Sequence, residues 1–210
     1  PPARVHYPPA DNQVIWDDAC AAHWEDAYPV GNGRLGAMTF ATFPKERILL
    51  NEETIWANTG KMYMEENAFP HFEKIRELEA AGDYKGADDY FVEHISRKGS
   101  SSKNPQLYQL AGWLNLHYQK TAKIVSTHRA LDLRTGIATS TYTLSDNSTI
   151  SQEVFVSAPD DVIVVSIRSD KPFDIMATMD GAQIEGGDLV LTGKADGALG
   201  TKFQNRLRAS

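Results

Sequence analysis

The chain is poor in cysteine, in basic charge and in long apolar runs, and each shortage removes a class of function. Cys20 is its single cysteine, so neither an intrachain disulfide nor a thiolate metal cluster can form. Lysine and arginine number 21 against 28 acidic residues, for a formal charge of −7. The basic residues are scattered and form no stripe, so no nucleic-acid partner is expected. The longest apolar run, Val162 to Ile167, includes Ser166 and is far too short to span a bilayer. No membrane span is expected, and no signal peptide is visible.

Metal and nucleophile motifs are also missing. His6, His23, His71, His94, His117 and His128 form neither H-x-H nor H-E-x-x-H. The Asp and Asn residues build no EF-hand loop, and no G-x-S-x-G elbow occurs. No cofactor and no metal are expected. One sequon, Asn147-Ser148-Thr149, lies on an expected hairpin turn.

What is present is a chain of 210 residues, long enough to bury a substantial core. Its most specialised stretch is Tyr28 to Trp56. Gly31, Gly33 and Gly36 match G-x-G-x-x-G, the dinucleotide fingerprint. That fingerprint works only after a buried strand and at the start of a helix. Here Ala37 to Phe43 reads as β, so the strand-turn-helix context is absent. The glycines read instead as a tight turn with close backbone approach. A strand-like run follows, then a turn at 44–47, then Ile48-Leu49-Leu50 and Asn51 to Trp56.

The remaining chain is read by its periods. Val14-Ile15-Trp16 suits a short strand. Phe72, Ile75 and Leu78 form a narrow helical stripe within 69–81, with Pro70 in the first turn and Gly82 past the end. Asp83 is placed to cap a second helix running to about Ile95. A polar loop is expected over 57–68 and another over 97–105. From Leu107 the texture is β. Leu114, Leu116 and Tyr118 alternate on one face, and further short strands are expected at 129–134, 138–144, 150–157, 162–168, 173–179, 189–191 and 201–207. Turns every eight to twelve residues or so indicate a mainly β fold, an antiparallel β-sandwich with a two-helix insertion near 69–95. A single domain is expected over 1–210.

Several segments carry a family resemblance. Trp24 to Met38 resembles W-x-E-A-L-P-I-G-N-G-R-L-G-A-M, and Leu50 to Trp56 resembles L-N-E-D-T-L-W. Tyr108 to Leu114 resembles Y-Q-P-L-G-D-L, with Trp113 in place of the acid. His128 to Leu133 is similar to Y-x-R-x-L-D-L, and Glu153 to Asp160 to R-E-x-F-x-S-x-P-D. These are segments of glycoside hydrolase family 95, the α-L-fucosidases. The resemblance covers essentially the whole chain, but only that family's N-terminal β-sandwich.

The resemblance implies an inverting glycosidase whose acid Glu and base Asp lie on a following (α/α)₆ barrel. No position here inherits those roles. The first residues look like a trimmed start, and 203–210 carry no termination signal. A fragment is therefore expected, with its own missing barrel as partner and a glycan as substrate of the whole enzyme. The expected location is the periplasm or exterior of a bacterium.

Glycosidic hydrolysis needs two carboxyl groups across the scissile bond. Glu52 and Glu53 are adjacent, and on a strand adjacent side chains point to opposite faces. Glu65-Glu66, Asp88-Asp89 and Asp160-Asp161 read as solvated charge. The chain alone is expected to be inactive. The candidates left are Asn32, Arg34, Asn51, Glu52 and Trp56, as substrate-binding or interface residues. Their plain structural reading is a brace for the glycine turn. A rival function is a free-standing carbohydrate-binding module using Trp16, Trp24, Trp56 and Trp113; α-L-galactose is the alternative sugar.

Overall fold

The computed structural model describes residues 13–58, 68–95 and 107–210. The loop expected at 97–105 and most of the one at 57–68 fall outside them. The chain divides into two compact units, Pro1–Ile55 with Leu110–Lys194 and Lys202–Ser210, and Trp56–Gln109 with Ala195–Thr201.

The first unit is a mainly β sandwich. One sheet holds β1 (Val14–Asp17), β6 (Ile124–Asp132), β7 (Ile137–Leu144), β8 (Thr149–Ser157) and β9 (Val162–Ser169), in that order. The facing sheet runs β10 (Ile175–Met179), β5 (Gly112–Tyr118), β4 (Lys45–Glu52), β3 (Leu35–Thr39), β2 (Tyr28–Gly31). All pairings are antiparallel. A third, small sheet joins β11 (Gln183–Glu185), β12 (Asp188–Lys194) and β13 (Lys202–Leu207).

The period of two decides which residues fill the space between the first two sheets. In β5 Leu114, Leu116 and Tyr118 are buried; in β7 Ala138, Ser140, Tyr142 and Leu144. Tyr118, Tyr142, Leu144 and Ile150 form a core cluster, with Phe43 stacked on Tyr118 at 5.4 Å. β2 and β3 pack over β7, β8 and β9. That packing sets the ends of two hairpins, one from each sheet, side by side.

Some strands differ from the sequence reading. Lys45, Glu46 and Arg47 are strand, where a turn was expected. Glu46 faces inward and is fully buried. Its carboxylate accepts from Thr39 Oγ1 at 2.7 Å, from the N–H groups of Phe40, Ala41 and Thr42, and from Thr42 Oγ1. Those five donors close the β3–β4 turn from inside. Burial pushes the Glu46 carboxyl above its ordinary value, against the pull of these bonds. β10 begins at Ile175, because Phe173 packs on Tyr118 instead. β2 and β11 lay outside the expected strands.

A second buried charge ties β1 to β6. Arg129 donates to Asp17 Oδ2 at 3.1 Å and to the Asp26 carbonyl at 2.5 Å, and lies 4.4 Å over the Tyr28 ring. Desolvating a guanidinium is costly, and these three partners offset the cost.

In the second unit, α1 (Phe69–Ala80) and α2 (Tyr84–His94) pack as a hairpin at the expected positions. Pro70 lies in the first turn of α1. The Asp83 N–H reaches the Leu78 carbonyl at 2.9 Å, and the Asp83 side chain accepts from Gly86 N at 2.9 Å. His71, Tyr90 and His94 stack between the two helices. Among the described residues, no helix is long and apolar enough to cross a membrane.

Candidate functional site: a braced glycine turn

The glycine turn is a β-hairpin. β2 pairs with β3 from Tyr28↔Thr39 to Gly31↔Gly36, and Asn32, Gly33 and Arg34 make the bend. Gly33 has φ +97°, a region that penalises a Cβ. A Cβ on Gly31 would stand 3.1 Å from the Leu35 carbonyl. These glycines serve the bend, and no helix follows them.

Asn32 is the centre of the bend. Its Oδ1 accepts from Arg34 N at 3.0 Å and Leu35 N at 2.8 Å. Its Nδ2 donates to the Ser157 carbonyl at 3.2 Å and to Asp161 Oδ1 at 3.1 Å. One planar amide thus fixes its own turn and clasps the β8–β9 turn of the facing sheet. Arg34 strengthens the clasp. Its Nη1 donates to Asp161 Oδ2 at 2.5 Å and its Nε to Glu52 Oε1 at 3.2 Å.

Glu52 ends β4, directly across the ladder from Leu35. Its Oε2 accepts from Thr54 N at 2.9 Å and Thr54 Oγ1 at 2.6 Å. The Glu52 side chain is 16% exposed, that of Arg34 59%. Burial works to raise the Glu52 carboxyl, but the Thr54 hydroxyl and N–H and the Arg34 guanidinium outweigh it and hold the group below its ordinary value. The hydrogen bond to Glu52 and the charge of Asp161 raise Arg34 in turn. A carboxylate held ionised by three donors is a poor general acid. Asn51 pairs with Gly36 across the ladder, and its Cβ lies 3.7 Å from where a Gly36 Cβ would stand.

The structure therefore brings Asn32, Arg34 and Glu52 into one network, with Asn51 one ladder position away. Asp161 belongs to that network and was read from sequence only as solvated charge. Its signal was weak: an Asp at a hairpin turn, with φ +53°.

Trp56 lies in the second unit. Segments 56–58, 107–109 and 195–201 are tied there by their backbones. Ala57 N donates to the Leu107 carbonyl at 2.9 Å, Asn58 N to the Asp196 carbonyl at 2.8 Å, and Thr201 N to the Trp56 carbonyl at 3.2 Å. Trp56 also forms a β-bridge with Tyr108, and their rings meet edge to face at 5.5 Å. The other tryptophans have separate surroundings. Trp16 lies against His128, Trp113 lies against Phe40 and under Arg47, and Trp24 is exposed. Among the described residues, no group of three or more His, Cys, Asp and Glu is arranged to hold a metal ion.

Fold and network define a β-sandwich domain whose most specialised feature is a clasped hairpin turn. The chain belongs to the family described as glycosyl hydrolase family 65, N-terminal domain, whose sequence pattern matches residues 15–209. Two curated relatives are similar to it. Alpha-L-fucosidase 2 of Arabidopsis thaliana is 33% identical over 153 residues, 71% of this chain and 17% of that protein. Probable alpha-fucosidase A of Aspergillus niger is 26% identical over 176 residues, 77% of this chain and 21% of that protein. Both of these relatives are named as fucosidases. The chain corresponds to about a fifth of their length.

Proposed function

We propose that the chain is the N-terminal β-sandwich domain of a family 95 glycoside hydrolase that releases α-L-fucose from glycans by inversion. The catalytic acid and base belong to a barrel domain outside this chain. The domain is a scaffold for that barrel, docks on it along the glycine turn, and contributes Trp56 to the substrate side. The protein acts in the periplasm or outside the cell.

The observation that carries this reading is the engagement of Glu52. The carboxylate in the segment Leu50 to Trp56 is held by Arg34 and Thr54, so it builds the hairpin and is not poised for proton transfer. The chemistry then has to come from elsewhere, and relatives about four times as long leave room for it. The test compares the full-length protein with this chain on an aryl α-L-fucoside. The full-length protein turns it over with inversion at the anomeric carbon, read by NMR, and the chain alone does not. Turnover by the purified chain that disappears in Glu52→Gln would overturn the reading.

A further inference from the structure

The sheet that runs β10, β5, β4, β3, β2 has a second face, turned away from the sandwich core. The period of two decides what stands on it. Leu114, Leu116 and Tyr118 point into the core, so Trp113, Asn115 and His117 point out. Glu46 and Ile48 point in, so Lys45 and Arg47 point out, and both are exposed. The ladder sets them in facing pairs, Lys45 opposite His117 and Arg47 opposite Asn115. Thr178 of β10 stands on the other side of Asn115. Directly opposed side chains on one face lie about 5 Å apart at Cβ, so these groups are neighbours.

Charge is divided unevenly across this sheet. Its strands carry two carboxylates, Glu46 and Glu52, both at inward positions of β4. The outward positions of all its strands hold no Asp or Glu, in a chain with 28 of them. Asp174 and Asp180 lie just outside the two ends of β10. Arg47 is the centre of the patch. Its guanidinium carbon sits over the Trp113 ring, 4.0 Å from the centroid, and Phe40 packs on the same ring at 5.8 Å. The ring fixes the cation in place but does not neutralise it. Arg34, Arg129, Arg206 and Arg208 each have a carboxylate partner. Among the described residues Arg47 has none, and the side chains of Asn115 and His117 make no hydrogen bond. A guanidinium that is held but not neutralised is a preorganised receptor for a planar anion.

We propose that this outward face binds an acidic glycan. A uronate carboxylate sits on Arg47 with Lys45 beside it, and sugar hydroxyls bond Asn115, His117 and Thr178. An extended peptide would add at a sheet edge, where backbone groups are open, whereas a sheet face offers side chains alone. Amide and hydroxyl groups next to two cations suit hydroxyls next to a carboxylate. The proposal rests on the glycosidase reading for the ligand being a glycan, but not on hydrolysis. It involves no covalent step.

The test titrates this chain with trigalacturonate and with its methyl ester, which keeps the sugar and removes the charge. Binding is followed in ¹H–¹⁵N spectra, where the Trp113 indole signal reports on the patch. Saturable binding of the acid, weakened by added salt and lost in the ester, is expected. Arg47→Ala weakens it at least about tenfold, as for loss of charge-assisted hydrogen bonds. Arg47→Lys keeps the charge without the planar fork and restores only part. Lys74→Ala removes the same charge from α1 and leaves binding unchanged. Dispersed spectra show that each variant is folded. No saturable binding of trigalacturonate by the folded chain overturns the proposal. So does equal binding of the ester, or equal weakening by Lys74→Ala. Tighter binding of hexaglutamate than of trigalacturonate would make the face a protein dock and also overturn it. If the full-length protein hydrolyses fucosides while this chain binds no trigalacturonate, the acidic-glycan face fails and the glycosidase reading stands. If binding follows Arg47 but the full-length protein leaves fucosides intact, the face stands and the fucosidase reading fails.

Discussion

Arg34 and Asp161 are 127 residues apart in the chain and 2.5 Å apart in space, from Nη1 to Oδ2. The contact joins a hairpin of one sheet to a hairpin of the other, and Asn32 makes the same crossing with its amide. The two residues do unequal work. Arg34 is mostly exposed, so its ion pairs are screened by solvent and salt. Asn32 is partly buried and satisfies four groups at once.

Asn32→Ala is therefore expected to be the costlier change, by about 1–3 kcal/mol, because it leaves backbone groups unpaired in a partly buried turn. Arg34→Ala should lower the urea midpoint less, and high salt should shrink its effect. Urea denaturation at low and high salt checks the order. A larger, salt-independent loss for Arg34→Ala would sink it.

Glu46→Gln should destabilise the sandwich by about 1–3 kcal/mol at neutral pH. An amide in that place turns an N–H toward donors that need an acceptor, at the Thr42 end of the cluster. Equilibrium unfolding reads the change. A neutral outcome would mean that the β3–β4 turn holds its shape without the carboxylate.

Asp188 supplies the pH dependence. Hydrogen bonds from Arg208 and then Arg206 hold its carboxyl down to about 2, from an ordinary 3.8. A depressed carboxyl stabilises the fold above its unfolded value, and that contribution is lost as pH falls through the folded one. Asp188→Asn should therefore melt lower than the parent at neutral pH. The gap should narrow as pH falls from 3.8 toward 2. A gap that stays constant across that range would contradict the pairing.

If the turn docks on the remainder of the longer protein, a separately made remainder should bind this chain. Arg34→Ala should weaken that binding several-fold, chiefly in its salt-dependent part. Calorimetric titration of the two pieces tests it. Indifference of the pieces at high micromolar concentration would leave the turn as an internal brace only.

How much of this was legible depended on whether one face of a strand was dry. β5 announced itself because Leu114, Leu116 and Tyr118 alternate with partly open residues. The first half of β6 did not, because Ile124, Val125 and Ser126 are all exposed and leave no alternation to read. Pro29 and Gly31 disguised β2, although Tyr28 and Val30, which alternate with them, are buried. Glu46 disguised the start of β4, since a charged residue reads as surface until its five donors are in view.

The candidate site was legible in its near half. Asn32, Arg34 and Glu52 lie within 21 residues of one another and share a hairpin ladder. Asp161 was out of reach, because only the stacking of the two sheets brings it there. Trp56 was visible as a residue, but its ring partner Tyr108 arrives from across the helical insertion.

The Asn32 clasp also sets an order of events. The bend itself needs only its neighbours, but Ser157 and Asp161 reach it from 125 and 129 residues away. Closing so long a loop early is entropically unfavourable, so contacts of that span belong late in folding. The turn becomes rigid only once both sheets have met, so a partner that recognises the rigid turn recognises finished molecules and passes over half-built ones.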